Sequence, residues 1–300
     1  MTEMTSVPCD LTTVATNIEA TVPEEVKCME VWGGCGAVSQ GFSRPGLDVW
    51  IWSRPQGDSA AAGGELHLLS SCASGRITRM LVADVCAHGS VFAELAGSLR
   101  DMMLRNLNQI RQTRFVESMS RSLHDFAPKG GFSTALIATY FAPRRTFSLC
   151  NTGHPPALHY RQSDRSWTLL KQAPADTVGR KSFAADVTSE AEYQQFEFHL
   201  ETGDMVIGYS NTLAECRDAD GNYLGVDGVL DRVRRLDATA PDELATRLVD
   251  SIRDERTENL QAEDATILVC QATDKRVPWK DNLMAPLRLL TGATDKTRLT

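Results

Sequence analysis

The chain has 300 residues, of which 42% are hydrophobic and 23% are charged. This length allows one large domain or two small ones, with a sizeable buried core. The formal net charge is -8, and no dense run of lysine and arginine offsets it. This balance argues against a surface that follows nucleic-acid phosphates, so we expect no nucleic-acid partner. An acidic chain could instead hold divalent cations.

Targeting signals and cysteine spacing bear on the compartment. Residues 1–10 lack a basic region followed by an apolar stretch, and no segment approaches the ~20 apolar residues of a membrane span. The eight cysteines are scattered and include no Cys-x-x-Cys pair. Such spacing suits reduced, mostly buried thiols better than a disulfide framework or a zinc site. We therefore expect a cytoplasmic protein with no membrane partner.

The sequence pattern divides the chain into three parts. Residues 1–30 are polar and weakly patterned, which indicates an N-terminal tail or a partner-docking arm. Residues 31–274 carry the strand and helix signals of a folded domain, without an internal repeat. Residues 275–300 are interrupted by proline and mildly basic, which indicates a C-terminal extension.

Three short apolar or alternating runs come first within the domain. They are residues 47–53 (LDVWIWS), 65–71 (ELHLLSS) and 77–83 (ITRMLVA). Glycine-containing turns separate them, so the pattern predicts successive antiparallel strands.

Two consecutive helices are predicted next. Apolar residues recur at three- and four-residue steps from Phe92 to Ile110, and Ser90 precedes them as a start signal. The second helix has an N-cap candidate at Thr113 and ends at Pro128 and two glycines. Its apolar stripe comprises Phe115, Met119, Leu123 and Phe126.

Hairpin signals resume in the second half of the chain. A further helix starts near Pro241, and its apolar face includes Leu244, Leu248 and Ile252. Strand-like runs occur at residues 134–141, 146–151, 157–160, 167–170, 193–200, 204–210 and 265–271. This order predicts an α+β fold of two packed, mostly antiparallel sheets with helices outside them.

Three acidic residues, Glu65, Asp84 and Asp264, lie at ends of predicted strands. Carboxylates placed this way can meet at one rim of a sheet and bind Mg²⁺ or Mn²⁺ through oxygen ligands. Taken singly, each residue also has a plain structural interpretation. Glu65 could be a solvated strand-edge charge, Asp84 a helix cap near Ser90, and Asp264 a turn residue.

Five segments occur in an informative order. They are GGELHLLSS (63–71), LVADVCAHG (81–89), FSTALIATYFAPRRTFSLCNTGHPP (132–156), GDMVIGYSNTLAE (203–215) and EDATILV (263–269). Together they resemble the sporulation stage II protein E (SpoIIE) type of serine/threonine phosphatase, which belongs to the metal-dependent PPM or protein phosphatase 2C-like family. The Asn-x-Gly-His-Pro-Pro element is the most distinctive part, because few unrelated folds need it.

The resemblance implies a PPM-phosphatase-like β-sandwich of two mostly antiparallel sheets flanked by helices, with a two-metal Mn²⁺ or Mg²⁺ site at one end. It also implies hydrolysis of phosphoserine or phosphothreonine through a metal-activated water. The implied substrate is a phosphorylated regulatory protein of a bacterial partner-switching circuit. A homodimer is left open as an alternative to a monomer.

Carried over position by position, the resemblance assigns the metal site to five residues. The Gly-Gly-Asp motif of the family ends on Glu65. Its Asp-Val-Ser-Gly-His-Gly motif begins at Asp84, the implied bridging carboxylate, and continues with Val85 as a carbonyl ligand. The aspartate of its Thr-Asp-Gly motif falls on Asn211, and its last Asp-Asp pair ends on Asp264. Asp84 and Asp264 thus keep the expected catalytic chemistry.

Two of these positions depart from the family pattern. Glu65 is one methylene longer than the expected aspartate, which shifts a ligand in a site that demands octahedral geometry. Asn211 keeps an oxygen but lacks the negative charge, so we expect one weak metal position and reduced turnover. The alternative, from a different class, is a weakened or inactive phosphatase fold that serves as a binding module. The two departures favour this alternative, whereas Asp84 and Asp264 oppose it.

Four further residues are candidates for a role. His88 could meet the phosphate or the metal-bound water, or make a structural hydrogen bond. Arg54 could bind the substrate phosphate through its planar donors, or be an ordinary surface arginine. Cys86 is disfavoured as a nucleophile, because no Cys-x5-Arg loop follows it and the Asp84 carboxylate opposes a thiolate. His154 is expected to stabilise its turn.

Overall fold

A computed structural model gives the fold of most of the predicted domain. It describes residues 24–25, 28–55, 64–72, 74–86, 90–107, 109, 112, 114–116, 118, 132–170, 181–182, 192–236, 240–261, 263–276, 279–280, 283–284 and 294–298. Within these residues, no helix has both the length and the apolar character needed to cross a membrane.

Strands predominate in the described part of the chain. They are β1 (Glu24–Glu25), β2 (Glu30–Gly34), β3 (Val38–Arg44), β4 (Leu47–Arg54), β5 (Glu65–Cys72), β6 (Ile77–Cys86), β7 (Phe132–Phe141), β8 (Thr146–Thr152), β9 (Leu158–Arg161), β10 (Ser166–Leu169), β11 (Lys181–Ser182), β12 (Glu192–His199), β13 (Met205–Tyr209), β14 (Ala265–Ala272) and β15 (Thr294–Arg298). The helices are α1 (Ser90–Arg105), α2 (Asn211–Glu215), α3 (Gly225–Arg235) and α4 (Pro241–Glu255), with a 3-10 turn at Ala142–Arg144.

The described strands form two sheets. One has the order β11-β12-β8-β7-β6-β5-β2-β15, and the other has the order β1-β3-β4-β14-β13-β9-β10. Parallel pairing occurs only at sheet edges among these strands, between β15 and β2 and between β1 and β3. The central strands pair antiparallel, for example β5 with β6 and β13 with β14. The predicted pair of mostly antiparallel sheets is therefore confirmed.

Three apolar layers join the helices and the sheets. Helix α1 covers the outer face of the β5–β6–β7 sheet, where Leu66 and Leu81 are buried. Helices α3 and α4 cover the outer face of the β4–β14–β13 sheet over Ile207 and Val269. Between the sheets, the alternate residues of the same strands, such as Leu268, form a middle core. Because both faces of both sheets are covered, the central strands are apolar along almost their whole length.

The predicted strands between residues 47 and 271 are all present, each within three residues of its predicted ends. The sequence patterns did not predict β2, β3, α2 or α3. The sequence does not predict helix α3, because two glycines and several charged residues interrupt its apolar pattern. Its residues Val229, Leu230 and Val233 are nevertheless buried.

The first predicted helix is shorter than its apolar pattern suggests. It ends at Arg105 instead of continuing to Ile110, which lies outside the described residues. The buried Arg79 guanidinium donates a 2.7 Å hydrogen bond to the Asn106 carbonyl and another to the Gln109 carbonyl. These carbonyl groups are satisfied by a side chain of β6, so the helix need not continue to bond them.

Only pieces of the second predicted helix are described. Residues 112, 114–116 and 118 are helical, and Phe115 is fully buried beneath α1. Thr113, Met119, Leu123, Phe126 and Pro128 lie outside the described residues.

Part of the predicted C-terminal extension belongs to a sheet. Strand β15 pairs parallel with β2. Arg100 of α1 donates a 2.6 Å hydrogen bond to Asp295, and Lys296 forms a 2.7 Å ion pair with the buried Glu30. These contacts tie residues 294–298 to the sheet edge and to α1. The limits assigned to the three parts of the chain stay a prediction.

Candidate active site

Glu65 and Asp84 lie side by side on neighbouring strands. Glu65 begins β5, and the antiparallel register pairs it directly with Asp84 near the end of β6. Directly opposed residues of such a pair project from the same face. That face is the one between the sheets. Leu69 and Val82 lie an even number of positions from Glu65 and Asp84 on the same strands, so they share this face, and both belong to the middle core. The two carboxyl groups therefore meet inside one end of the sandwich.

Asp264 approaches the same place from the other sheet. Its Oδ2 atom accepts a 3.1 Å hydrogen bond from the Glu65 amide, across 199 positions of sequence. A Cβ atom on Gly64 would lie only 2.7 Å from that oxygen, so glycine leaves the space that the carboxylate occupies. The Val85 amide donates a 2.6 Å hydrogen bond to the Gly64 carbonyl, which fixes the glycine from the β6 side.

Asn211 is the first residue of α2, which begins where β13 ends. The Ser210 amide donates to the Thr266 carbonyl at 3.0 Å, and the Thr266 amide donates to Ser210 Oγ at 3.1 Å. The Thr212 hydroxyl donates to the Asp264 carbonyl at 2.5 Å. These bonds join the start of α2 to the start of β14. Asn211 therefore lies at the same end of the sandwich as the three carboxyl groups.

Buried hydroxyl groups surround the Glu65 side chain. The hydroxyl groups of Ser210 and Thr266 lie near its carboxyl group and lower its pKa, and Ser53 Oγ lies 3.0 Å from Thr266 Oγ1. Glu65 is 4% exposed, and its Oε2 atom has no hydrogen-bond partner among the described residues. Burial, reinforced by the charge of Asp84, raises the pKa of Glu65 to about 8, although the two hydroxyls act the other way. A nearby cation would favour the ionised form instead.

Asp84 is partly buried among other negative charges. Burial raises its pKa most, and the charges of Asp264, Glu263 and Glu215 raise it further. The resemblance placed the last acidic pair of the family on Glu263 and Asp264 but gave Glu263 no role, and no sequence pattern indicated Glu215. Two signals were available: Glu263 adjoins Asp264, and Glu215 follows Asn211 by four positions, on the same side of a helix.

A cleft of about 500 Å³ opens beside the acidic end of the sandwich. Its walls come from the turn after β8, from α2 and from the segment leading into α3. Residues along it include Gly153, His154, Asn211, Glu215, Tyr223 and Val226. Because Asn211 belongs to both features, the cleft adjoins the acidic end, and its size is that of a pocket for a small ligand.

His154 is held inside the wall of this cleft. The Asn151 side chain donates to the carbonyls of His154 at 2.9 Å and Pro155 at 3.1 Å, and accepts a 2.9 Å bond from the His154 amide. The imidazole Nδ1 atom lies 2.7 Å from Thr134 Oγ1. Burial lowers the pKa of His154 to about 4, so the ring is neutral near pH 7. These contacts agree with the expected turn-stabilising role.

Arg54 lies at the same end of the sandwich as the carboxyl groups but on the other face of its sheet, and its role as a phosphate ligand stays a prediction. It is exposed at the end of β4 and pairs in register with Ala265, which faces the α4 side of its sheet. Burial, and then the charge of Arg54, lowers the pKa of Arg253 on α4. Arg54 therefore lies on the outer face of the sheet, whereas Glu65 projects between the sheets.

The motif around Asp84 is only partly described. Val85 is buried in β6, and its role as a carbonyl ligand stays a prediction. His88, Ala87 and the side chain of Cys86 lie outside the described residues. The described cysteines are free thiols.

The donor atoms at this end suit a hard divalent cation. Glu65, Asp84 and Asp264 offer carboxylate oxygens and Asn211 offers an amide oxygen, which are the ligand types that Mg²⁺ and Mn²⁺ prefer. The described residues contain no group of three or more His, Cys, Asp or Glu side chains that could hold an ion by themselves. Mg²⁺ in proteins usually keeps several waters and takes one or two carboxylates. The residues therefore fit such an ion with water completing its coordination.

A β-sandwich with helices outside it and oxygen donors at one end is the architecture of a protein phosphatase 2C-type domain. A sequence model of the Stage II sporulation protein E (SpoIIE) family matches residues 74–273, which is more than half of the chain. The chain belongs to this family.

Individual relatives support the same assignment. The phosphoserine phosphatase RsbU of Bacillus subtilis (strain 168) is 26% identical over 142 residues, or 47% of this chain and 40% of RsbU. The RsbU and RsbW domains of a Mycobacterium tuberculosis protein superpose with a TM-score of 0.60 and 22% identity, over 79% of this chain and 64% of that one. The phosphatase domain of SpoIIE from Bacillus subtilis gives a TM-score of 0.55 and 15% identity, over 77% of this chain and 95% of that one. The chain thus spans less than two thirds of the first two relatives, and the structural likeness shows the fold.

Proposed function

We propose that this chain is a metal-dependent phosphoprotein phosphatase that hydrolyses phosphoserine and phosphothreonine. The observation that supports this most is the meeting of Glu65, Asp84 and Asp264 at one end of the sandwich. These residues come from both sheets and are distant in sequence, and a buried carboxylate such as that of Glu65 costs stability unless a partner or a ligand satisfies it. Family membership and the similarity to a phosphoserine phosphatase favour the same reaction.

The proposed cofactor is Mn²⁺ or Mg²⁺, because protein phosphatase 2C-type enzymes are metal-dependent. When bound, such ions would polarise the attacking water and the phosphoryl oxygens. Asp84 is the proposed central ligand, with Asp264 beside it and the Val85 carbonyl as a further ligand. Asn211 would contribute its amide oxygen, and its missing charge is expected to weaken one of two metal positions.

The fixed parts of the site have positioning roles in this proposal. The Glu65 amide orients the Asp264 carboxylate through its hydrogen bond. The Thr212 hydroxyl holds the main chain of Asp264 against α2. The cleft beside Asn211 is the proposed location of the substrate residues that flank the phosphate.

The proposed substrate is a phosphorylated regulatory protein in bacterial signalling, and the proposed compartment is the cytoplasm. RsbU is a phosphoserine phosphatase, which supports a protein phosphoester as the substrate. The net charge of -8 favours a protein partner over a nucleic acid. A homodimer stays a prediction.

A second candidate function is a non-catalytic binding module with the same fold. Asn211 favours this alternative because it lacks the charge that a second cation needs. Glu65 favours it because burial raises its pKa to about 8, which disfavours an ionised ligand in the absence of a cation. The retained carboxylates of Asp84 and Asp264 oppose it.

The two functions can be separated with a phosphoserine peptide and a range of Mn²⁺ concentrations. We expect slow, Mn²⁺-dependent hydrolysis by the unaltered chain, and less with Mg²⁺, which is more exacting about octahedral geometry. Asn211→Asp should accelerate hydrolysis, because it restores a charge between two cations. Asp84→Asn should abolish it. The matched control is Asp242→Asn, which alters an aspartate in the first turn of α4 instead.

Two outcomes of this experiment would contradict the proposed phosphatase. Hydrolysis by neither the unaltered chain nor Asn211→Asp at any Mn²⁺ concentration would favour the binding module. Full activity of Asp84→Asn would show that the proposed site is wrong.

A further inference from the structure

Glu215 lies one helical turn beyond Asn211 on α2. Residues four apart in a helix share a side of it, and both of these residues line the same cleft. Glu215 is exposed, so its carboxylate is accessible to a ligand in that cleft. Its charge also acts on Asp84, whose pKa is raised by burial and then by Asp264, Glu263 and Glu215. Glu215 therefore faces both the cleft and the acidic end of the sandwich.

The position of Glu215 relative to the acidic end is fixed by short contacts. The Thr212 hydroxyl bonds the Asp264 carbonyl at 2.5 Å, and the Cys216 amide bonds the Thr212 carbonyl at 3.1 Å. The Cys216 thiol lies 3.2 Å from the same carbonyl. The first turn of helix α2 is therefore bonded to the residue before β14. Its C-terminal end is capped by the bonds from Cys216 to the Thr212 carbonyl. The main chain of Glu215 therefore cannot move far from Asp264 without breaking these bonds.

A buried and unsatisfied oxygen indicates that this end is built to receive a positive group. Glu65 is 4% exposed, and its Oε2 atom has no hydrogen-bond partner in the described part of the chain. Its side chain projects from the same face as Asp84, its direct partner in register. An unpartnered buried carboxylate oxygen is costly, and a cation would satisfy it.

We infer that Glu215 supplies a carboxylate to the divalent cation site and replaces the negative charge that Asn211 lacks. The inference rests on the proposed function, because it concerns the same cation site. A glutamate one turn further along α2 reaches the cleft on the side where Asn211 stands. Side chains four residues apart on one face of a helix can bind the same metal ion.

The test is Mn²⁺ binding to the full 300-residue chain, measured by titration calorimetry and by the electron paramagnetic resonance signal of free Mn²⁺. Glu215→Gln should weaken Mn²⁺ binding about tenfold, which corresponds to about 1.4 kcal/mol. Glu215→Asp should bind more tightly than Glu215→Gln, because it keeps the charge. In the Asn211→Asp background, Glu215→Gln should weaken binding only about threefold, because the helix already carries a carboxylate.

Glu201→Gln is the matched control. Glu201 is 73% exposed in the turn before β13, at the end of that strand opposite to Asn211, so its loss should leave Mn²⁺ binding unchanged. Equal Mn²⁺ affinity of Glu215→Gln and the unaltered chain, with weakened binding by Asp84→Asn, would overturn the role of Glu215 and leave the proposed function intact. Unchanged binding by Asp84→Asn as well, or no Mn²⁺ binding by the unaltered chain, would overturn both.

Discussion

At the scale of single residues, the position of Asp264 depends on a main-chain amide and on the missing side chain of Gly64. The Glu65 amide bonds Asp264 Oδ2 at 3.1 Å, and a Cβ atom on Gly64 would meet the same oxygen at 2.7 Å. Any larger residue at position 64 must displace the carboxylate. A site whose ligands must be held to fractions of an ångström is sensitive to such a shift.

Gly64→Ala should therefore impair the site more than the fold. We expect Mn²⁺ affinity and turnover to fall about tenfold, which corresponds to about 1.4 kcal/mol. The free energy of unfolding should change by less than about 1 kcal/mol, because the Asp264 side chain can rotate away. Calorimetric Mn²⁺ titration, phosphopeptide hydrolysis and urea unfolding measure the three quantities.

Gly97→Ala is the matched control for this substitution. Gly97 lies within α1, and a Cβ atom there would meet nothing within 4 Å. Alanine should stabilise the helix by about 0.5–1 kcal/mol and leave Mn²⁺ binding unchanged. Normal Mn²⁺ binding and turnover by Gly64→Ala would contradict the position assigned to Asp264.

At the scale of elements, α1 is connected to parts of the chain distant in sequence. The Arg79 guanidinium lies 4.2 Å from the centre of the Phe115 ring and donates to main-chain carbonyls beyond the end of α1. Within α1 itself, Arg100 donates a 2.6 Å hydrogen bond to Asp295 of β15. Because α1 begins shortly after β6, which carries Asp84, these contacts also set the position of the helix relative to the site.

Arg100→Ala should loosen β15 specifically. The Arg100 and Asp295 side chains are only 30% and 26% exposed, so their ion pair is less screened than a surface pair. We expect amide hydrogen exchange of residues 294–298 to accelerate about tenfold, because β15 is an edge strand with few other contacts. The global free energy of unfolding should fall by no more than about 1 kcal/mol. Exchange followed by mass spectrometry measures the local effect.

Arg105→Ala provides the comparison for this experiment. Arg105 is on the same helix, but its side chain is 78% exposed and its ion pair with Asp101 is 3.9 Å long. Its removal should leave exchange in β15 unchanged. If exchange in β15 is equally fast in both variants, the bond between Arg100 and Asp295 does not hold the strand.

At the scale of the whole molecule, buried titratable groups link stability to pH. Burial lowers the pKa of His67 and of His154 from 6.5 to about 4. Between these values the unfolded chain takes up protons that the folded chain does not. The stability contributed by the two neutral rings is therefore complete above pH 6.5 and is lost as the pH falls toward 4. Glu65 acts in the opposite direction when no cation is bound. Because its pKa is raised from 4.5 to about 8, its contribution to stability is lost as the pH rises through this range.

Urea unfolding of the metal-free chain should show this dependence. We expect each buried histidine to account for about 2 kcal/mol of the stability lost between pH 6.5 and 4.5. His154→Gln should therefore be less sensitive to pH than the unaltered chain over this range, whatever its stability at pH 7. His199→Gln, which alters a side chain that is 52% exposed, should keep the slope of the unaltered chain. An unchanged slope in His154→Gln would show that this ring does not stay neutral in the folded state.

The sequence by itself determined the class of the fold and the identity of the central acids. Alternation with a period of two and helical spacing are local properties, so the strands from residue 47 to residue 271 and helix α4 could be predicted within a few residues. Strand ends indicated Glu65, Asp84 and Asp264, and the motif resemblance added Asn211, because it lies in a distinctive segment. Helix α3 and strands β2 and β3 could not be predicted, since their local patterns are weak and packing stabilises them.

Only the tertiary structure decided which of these groups meet. The Glu65 amide reaches Asp264 across 199 positions, a contact that no local pattern encodes. The register of β4 and β14 puts Arg54 opposite Ala265, on the α4 side of its sheet, which its place in the sequence does not show. Folding also brings the charge of Glu215, at the end of α2, close to Asp84. Long-range packing determines these distances, and in a partly buried site the distances between charges determine the chemistry.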